Sequence, residues 1–371
     1  MVNKKFLAAM FTLSGTIIGA GILGLPYVFA KSGFLIGIFW LLVIGSMILY
    51  VNLALGEITL RTKGNHQLPG YANRYLGKWG KRIMFFALVF GIYSALLAYL
   101  IGEGNSFAKL IPFDVSPIFY GIIFWMFMTM LLGHGMKELK RIETWGVMTI
   151  IVIVFGMFCR YLHNVDVGNL VTINHGNLLF PIGVVFFAMH GFSSMPEVRR
   201  EIKGRESLFK KAIIFGTLIP IVLYILFSVI FIGRLGTNIN EVATLSFGPF
   251  VTVLGIFTML TSYFVLSFAL HDMYKYDIKL NKVWNFALTS FIPLVLYILI
   301  QVFKLASFNE ILGIGGTVSS GIMGIIILVM AKKAKNNPNN PNPKINIPIS
   351  WIAVVLLSLA FSTAIILELF F

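Results

Sequence analysis

Apolar runs long enough to cross a membrane recur along the whole chain, from Phe6 to the C-terminus. A spanning helix needs about 20 predominantly apolar residues. Inside a bilayer only helices and closed barrels satisfy all their backbone hydrogen-bonding groups. The runs are continuous and lack the two-residue alternation of barrel strands, so they read as helices. They fall at 6–30, 34–60, 83–103, 117–136, 144–162, 178–198, 212–233, 247–271, 284–302, 308–331 and 349–370. The fold class expected is therefore an all-α membrane protein with about 11 transmembrane helices. Composition agrees: the 371 residues are 58% hydrophobic and 12% charged, with a mean hydropathy of +0.89. A soluble domain has about 45–50% apolar and about 25% charged residues. No stretch reads as a soluble domain, and the first partner expected is the lipid bilayer.

The formal net charge is +15. The basic residues are scattered over many short connections rather than gathered into one patch, which points away from nucleic acid and toward positive-inside topology. With the N-terminus in the cytoplasm and the helices alternating, every basic residue falls in a cytoplasmic segment except Lys31, Lys109, Arg160, Arg234 and Lys304. One missed helix would invert all later loops, so the agreement supports the count as well as the orientation. It puts the C-terminus outside the cell membrane. Met1–Lys5 is short and basic, and the apolar stretch after it is too long for a signal peptide, so the first helix is expected to be retained. The single cysteine, Cys159, excludes a disulfide within the chain and a Cys-cluster metal site. Residues 332–348, with their Asn-Pro repeats, read as a flexible cytoplasmic linker between a ten-helix core (1–331) and an additional transmembrane helix (349–371).

Eleven helices do not by themselves separate a transporter from a receptor or an enzyme; interruptions within them say more. The first run contains Ser14-Gly15-Thr16-Ile17-Ile18-Gly19-Ala20-Gly21-Ile22-Leu23-Gly24-Leu25-Pro26. Glycine costs about 1 kcal/mol in a helix interior and proline about 3. Such a stretch is expected to unwind, and unwound backbone at membrane depth is tolerated where it lines a cavity or is buried in protein. The sixth run reads Phe186-Phe187-Ala188-Met189-His190-Gly191-Phe192-Ser193-Ser194-Met195-Pro196. Gly21 and Pro26 are five apart, as are Gly191 and Pro196, and the two pairs are separated by 170 residues. Interrupted helices at matching positions of two halves are the sequence pointer to a transporter binding site. Five helices per half (6–162 and 178–331) give an inverted repeat, the 5+5 arrangement of the leucine-transporter fold, with one extra helix. The alternative for these glycines is close helix packing, a reading that Gly15, Gly19 and Gly102 also fit.

The run GTIIGAGILGLPYVFAKSG resembles the first helix of the amino acid/auxin permease family and of its bacterial relatives, the aromatic amino acid permeases, within the amino acid-polyamine-organocation superfamily. LPGYANRYLGKWGKR (68–82) is similar to the loop after their second helix, and FFAMHGFSSMPEVRREI (186–202) to their sixth helix. LTSYFVLSFALHDMY (260–274) resembles the eighth helix of the aromatic permeases, with His271 where those usually have Phe. FIPLVLYILIQVFKLASFNEILGIGGTVSSGI (291–322) follows their ninth and tenth helices. The resemblance covers most of the chain in order. It implies coupled transport of amino acids with protons or sodium, on the inverted-repeat fold.

An amino acid presents a carboxylate and an ammonium. The amides near Gly19, Ala20 and Gly21, at the start of the second half of the broken first helix, can hold the carboxylate. Carbonyls freed near Thr16, and near Phe187 and Ala188 beside Gly191, can accept from the ammonium; no acidic residue falls mid-run in spans 1, 3, 6 or 8. Phe187 and Tyr93 are expected to line the side-chain pocket, Tyr93 lying with Ser94 near the middle of the third run; the alternative for Tyr93 is a phenol hydrogen-bonded in the helix bundle. Thr261 and Ser262, with the carbonyls of Gly15, Ile18 and Thr258, resemble the sodium site of sodium-coupled members of the fold, and oxygen ligands suit a hard cation. Thr-Ser also occurs here in proton-coupled aromatic permeases. His190, the ionisable residue beside a break, is the alternative carrier of a proton, or a neutral His satisfied by backbone. The coupling ion thus stays open between sodium and proton, and no cofactor is expected. Glu57, Glu197 and Asp272 read as cytoplasmic ion pairs or solvated ends. An amino-acid sensor on the same fold, without net transport, is the competing function; spore-germinant receptor subunits are such relatives. Nothing resembles a metal motif, a nucleotide loop, a Ser-His-Asp set or a channel filter, so neither an enzyme nor a channel is expected. No obligate protein partner is evident.

Overall fold

The computed structural model describes residues 4–19, 21–64, 66–134, 139–336 and 343–370. Ala20, Lys137 and the middle of the expected linker, 337–342, lie outside them. Among the described residues all regular structure is helical. The first run holds two helices, α1 (Lys4–Ile18) and α2 (Gly21–Ser32). They are followed by α3 (Phe34–Arg61), α4 (Leu68–Leu110), α5 (Pro117–His134), α6 (Leu139–Tyr161) and the single turn α7 (Gly168–Val171). The sixth run again holds two helices, α8 (Ile182–Ala188) and α9 (Met195–Glu201). Then come α10 (Phe209–Leu235), α11 (Pro249–Met273), α12 (Lys282–Phe303), α13 (Phe308–Lys335) and α14 (Trp351–Phe370). Among the described residues seven helices are long and apolar enough to cross a membrane. The pair α1–α2, bent by 51°, brings the number to eight. Pro117–Gly133 in α5 and Met148–Asn164, from α6 onward, are shorter apolar helices.

Helix ends follow local chemistry. Pro249 and Pro196 stand in the first turns of α11 and α9, where a missing N–H costs no helical bond. Asn281 caps α12 by accepting from the Trp284 amide at 2.9 Å. Ser307 and Glu310 form a reciprocal capping box at the start of α13. The outer faces carry large exposed apolar side chains such as Phe86, Phe250 and Ile352, as a lipid-facing surface requires.

Two connections differ from expectation. The third run belongs to a longer helix: Leu68–Leu76, read as loop, is helical, and the chain turns at Gly77 (φ 73°, ψ −164°) before continuing to Leu110. A Cβ at Gly77 would meet nothing, so the backbone angle alone calls for glycine there. The described end of the expected flexible linker is packed against the body. Ile345, Ile347 and Ile349 alternate inward, and Glu57 accepts from the Ile347 amide at 2.7 Å. Glu57 also pairs with Arg61 at 2.8 Å and Lys335 at 3.5 Å. Tyr50 donates to the Pro348 carbonyl at 2.7 Å. Alternating apolar contacts and a buried acid hold this strap, and composition alone gives no sign of them.

At the centre, α1 packs on α6, α9 and α10, while α2 packs on α3, α8 and α10. α13 lies between α4, α8 and α14. The two broken pairs therefore meet inside a frame of long helices.

Candidate substrate and coupling-ion site

α1 ends at Ile18, and Gly19 takes φ +28°, a backbone conformation that side-chain-bearing residues rarely adopt. A Cβ at Gly19 would fit without a clash, 3.5 Å from the Tyr99 hydroxyl and 3.8 Å from the Thr16 carbonyl oxygen. A pocket opens on this break. Gly15, Thr16 and Gly19 form one wall, with Tyr99 of α4 and Ile150 of α6 beside them. α11 supplies the facing wall through Thr258, Thr261, Ser262, Val265 and Leu266. Thr16 and Gly19, expected at the substrate, thus share one pocket with Gly15, Thr258, Thr261 and Ser262, expected at the cation. Thr16 donates its hydroxyl to the Thr12 carbonyl at 2.9 Å. Thr258 donates to the Leu254 carbonyl at 2.9 Å, and Thr261 to the Thr258 carbonyl at 3.0 Å. Their hydroxyl lone pairs are left for a ligand. Among the described residues no charged side chain belongs to this lining. The C-terminal end of α1 and the N-terminal end of α2 meet at the break, bringing partial negative and positive charge side by side.

The second break, between α8 and α9, leans on the first. Gly21 lies directly on Ala188, where a Cβ would stand 2.6 Å from the Ala188 Cβ. Gly191 lies on α1, where a Cβ would stand 2.6 Å from Ile17 Cγ1. Both glycines are therefore taken up by helix contact, and neither lines the pocket. Phe187 packs its backbone on Gly316 of α13 and its carbonyl accepts from the His190 amide at 3.1 Å. The carbonyls of Ile17, Ile18 and Ala188 converge on one hydroxyl: Tyr224 of α10, fully buried, reaches them at 2.7, 3.3 and 2.8 Å. Ile18 and Ala188, expected at the cation and at the ammonium, are turned to Tyr224 instead. His190 Nδ1 lies 2.7 Å from the Ser320 hydroxyl, and its ring packs on Phe192 at 5.4 Å. Tyr93 lies outside this lining: its hydroxyl bonds Tyr274 at 2.8 Å and donates to the Leu288 carbonyl at 2.9 Å. Ser94 packs on Gly315 of α13.

Three residues escaped the sequence reading. Tyr99 and Tyr224 each carry a hydroxyl in the middle of an apolar run, a signal that is visible but common. Glu103 stood at the end of a run, whereas α4 continues seven residues past it and buries it completely.

Residues 2–246 match the tryptophan/tyrosine permease family. The chain belongs to that family. Among relatives of this permease, glutamine transporter 2 of Aliivibrio fischeri is 25% identical over 326 residues, covering 79% of this chain and 81% of that protein. Tyrosine-specific transport systems 1 and 2 of Haemophilus influenzae are each 26% identical, over 255 and 243 residues. These matches cover 66% and 61% of the chain. The chain spans about six tenths of the length of these two tyrosine-specific relatives. Family membership and the apolar helices together make the permease a multi-pass membrane protein.

Proposed function

We propose that the chain is a secondary active transporter of amino acids, coupled to sodium or protons and working by alternating access. The observation that carries this reading is the pocket on the Gly19 break, which gathers unwound backbone, a tyrosine hydroxyl and the Thr-Ser pair of α11. Its uncharged lining favours an amino acid with a neutral side chain; the relatives named for glutamine and for tyrosine both fit that class. The architecture proposed is eleven spans in the cell membrane, with the N-terminus inside and the C-terminus outside. α1–α2 through α6 form one repeat, α8–α9 through α13 the inverted second, and α14 the addition. Residues 1–331 form the core, and 332–348 the connection to α14. The mutual contact of the two breaks, at Gly21–Ala188 and Gly191–Ile17, supports the pairing of the repeats.

A thermal-shift screen of the purified protein against the twenty amino acids, followed by counterflow in proteoliposomes, tests the function. Stabilisation with counterflow supports a transporter. Stabilisation without any counterflow indicates the sensor. The coupling ion is tested by two variants. If Thr261 and Ser262 ligate sodium, Ser262→Ala lowers the sodium dependence of substrate binding while leaving its pH dependence. If His190 carries a proton, His190→Gln flattens the pH profile at constant salt instead. Binding is linked reciprocally, so in the sodium case substrate must also tighten sodium.

A further inference from the structure

Glu103 of α4 is wholly buried, and neither carboxyl oxygen has a hydrogen-bond partner among the described residues. It follows Tyr99 by four residues, so it lies on the same helix face one turn along, and Tyr99 borders the pocket. The packing around it is tight at two flanking glycines. A Cβ at Gly102 would stand 2.5 Å from Met259 Sδ of α11 and 3.2 Å from the ring of Phe308 of α13. One at Gly104 would stand 2.6 Å from the Pro117 carbonyl of α5 and 3.0 Å from the Tyr297 hydroxyl of α12.

The ionisable groups of the surrounding helices offer no counter-charge. α5, α11 and α12 bring Tyr120, Tyr263 and Tyr297, which are neutral phenols. Glu310 of α13 is exposed and caps its own helix. Lys109 of α4 donates to the Leu245 carbonyl. Asp114 and Lys304, beyond α4 and α12, are exposed. The remaining ionisable groups of these helices, Arg74, Lys78, Lys81 and Arg82 of α4, His134 at the end of α5, His271 and Asp272 of α11, Lys282 of α12 and the lysines after Met330 in α13, stand toward the opposite helix ends. Among the described residues Glu103 thus has no hydrogen-bond partner and no opposite charge beside it, and it is wholly buried.

A carboxylate so placed is far costlier than the neutral acid, so this arrangement of helices holds the acid form. We propose that Glu103 is the group that carries the coupling proton, which rests on the coupled-transport reading above and narrows its ion to the proton. Where the site opens and water reaches the carboxyl, the acid gives its proton to water and becomes a carboxylate. Where the site opens to the other side, the carboxylate takes a proton back from water there. The substrate-loaded site closes with the carboxyl neutral, and the empty site returns with the carboxylate hydrated in a different arrangement of the helices, so each cycle moves one proton with the amino acid. Tyr99 links the events, since the same face of α4 borders the pocket and bears the acid.

The test uses the full chain in proteoliposomes with a mixture of the twenty radiolabelled amino acids. Wild type is expected to show counterflow, and accumulation driven by an inward proton gradient. Glu103→Gln, permanently neutral, is expected to keep counterflow and lose gradient-driven accumulation and its pH dependence. Gradient-driven accumulation at wild-type level in Glu103→Gln overturns the proposal, as does accumulation by wild type that follows a sodium gradient alone. Absence of counterflow in wild type sinks the transporter reading instead, which keeps the two failures apart. If the variant does not fold, wild type still decides. Infrared spectra should show a protonated carboxylic-acid band that changes as substrate is added, and substrate should move protons in weakly buffered solution. A wild type with neither signal overturns the proposal.

Discussion

At the scale of single residues, Tyr224 has the most to do. Its one proton serves carbonyls from both broken helices, the Ile17–Ile18 end of α1 and Ala188 at the end of α8. Buried acceptors left without a donor cost about 1–3 kcal/mol. Tyr224→Phe is therefore expected to lower unfolding stability by about that amount and to weaken substrate binding, read by denaturant unfolding and by thermal shift with substrate. A Phe variant equal to wild type in both would show that the breaks hold their carbonyls without it. The glycines separate by the space around them. Gly21→Val must drive α2 off Ala188, and over-packing of this kind costs about 1–3 kcal/mol. Gly19→Ala makes only ordinary contacts, with the Tyr99 hydroxyl and the Thr16 carbonyl oxygen, and faces its left-handed backbone, about 1–2 kcal/mol. Substrate binding should fall in both, but Gly21→Val alone should also change the α2–α8 contact, seen as cross-linking lost between cysteines placed on those helices. Gly21 was readable from the sequence as a break residue. Its role was not, because a carboxylate cradle and a helix contact call for the same absence of a side chain.

At the scale of elements, the strap after α13 and the arm before Gly77 carry the lesson about what a sequence reveals. Among the described residues each apolar run overlaps helix, and seven helices, or eight with the bent pair, are long and apolar enough to cross a membrane, since continuous hydrophobicity is a strong signal over twenty residues. The arm at Leu68–Leu76 was hidden by the likeness of 68–82 to a loop of known permeases, although its Pro69 stands in the first turn of a helix, where a proline loses nothing. The strap was hidden by its Asn-Pro composition, although Ile345, Ile347 and Ile349 recur at the two-residue period of an extended segment with one buried side. Glu57 is the test of it. Glu57→Ala leaves Arg61, Lys335 and the Ile347 amide without their shared acceptor, and breaking a buried pair from one side costs about 3–5 kcal/mol. Hydrogen exchange at Ile347 should accelerate along with the loss of stability. Unchanged exchange there would assign the anchoring to Tyr50 and Lys332, which donate to the Pro348 and Ile349 carbonyls.

At the scale of the whole molecule, charge sets the expected orientation. A reporter fused after Phe371 should behave as extracellular and one before Lys4 as cytoplasmic; a cytoplasmic C-terminus would remove both the eleven-span count and the pairing of repeats. The pocket itself belongs to this scale. Its walls come from residues as distant in sequence as Gly15, Tyr99, Ile150 and Ser262, and only the resemblance to known permeases placed two of those four at a shared site. Ile150 and Tyr99 join them through the packing of α4, α6 and α11, which no local pattern encodes. The contact between the two breaks has a mechanical consequence. α1, α2, α8 and α9 are four short rods, hinged at Gly19 and near His190 and pressed together at Gly21–Ala188 and Gly191–Ile17. Hinges and contacts lie within a few residues of one another at the inner ends of these rods, so a rod that swings carries its contact partner with it. Crowding the Gly191 contact with Gly191→Ala should for that reason be felt at the neighbouring Gly19 break as a lower affinity for substrate.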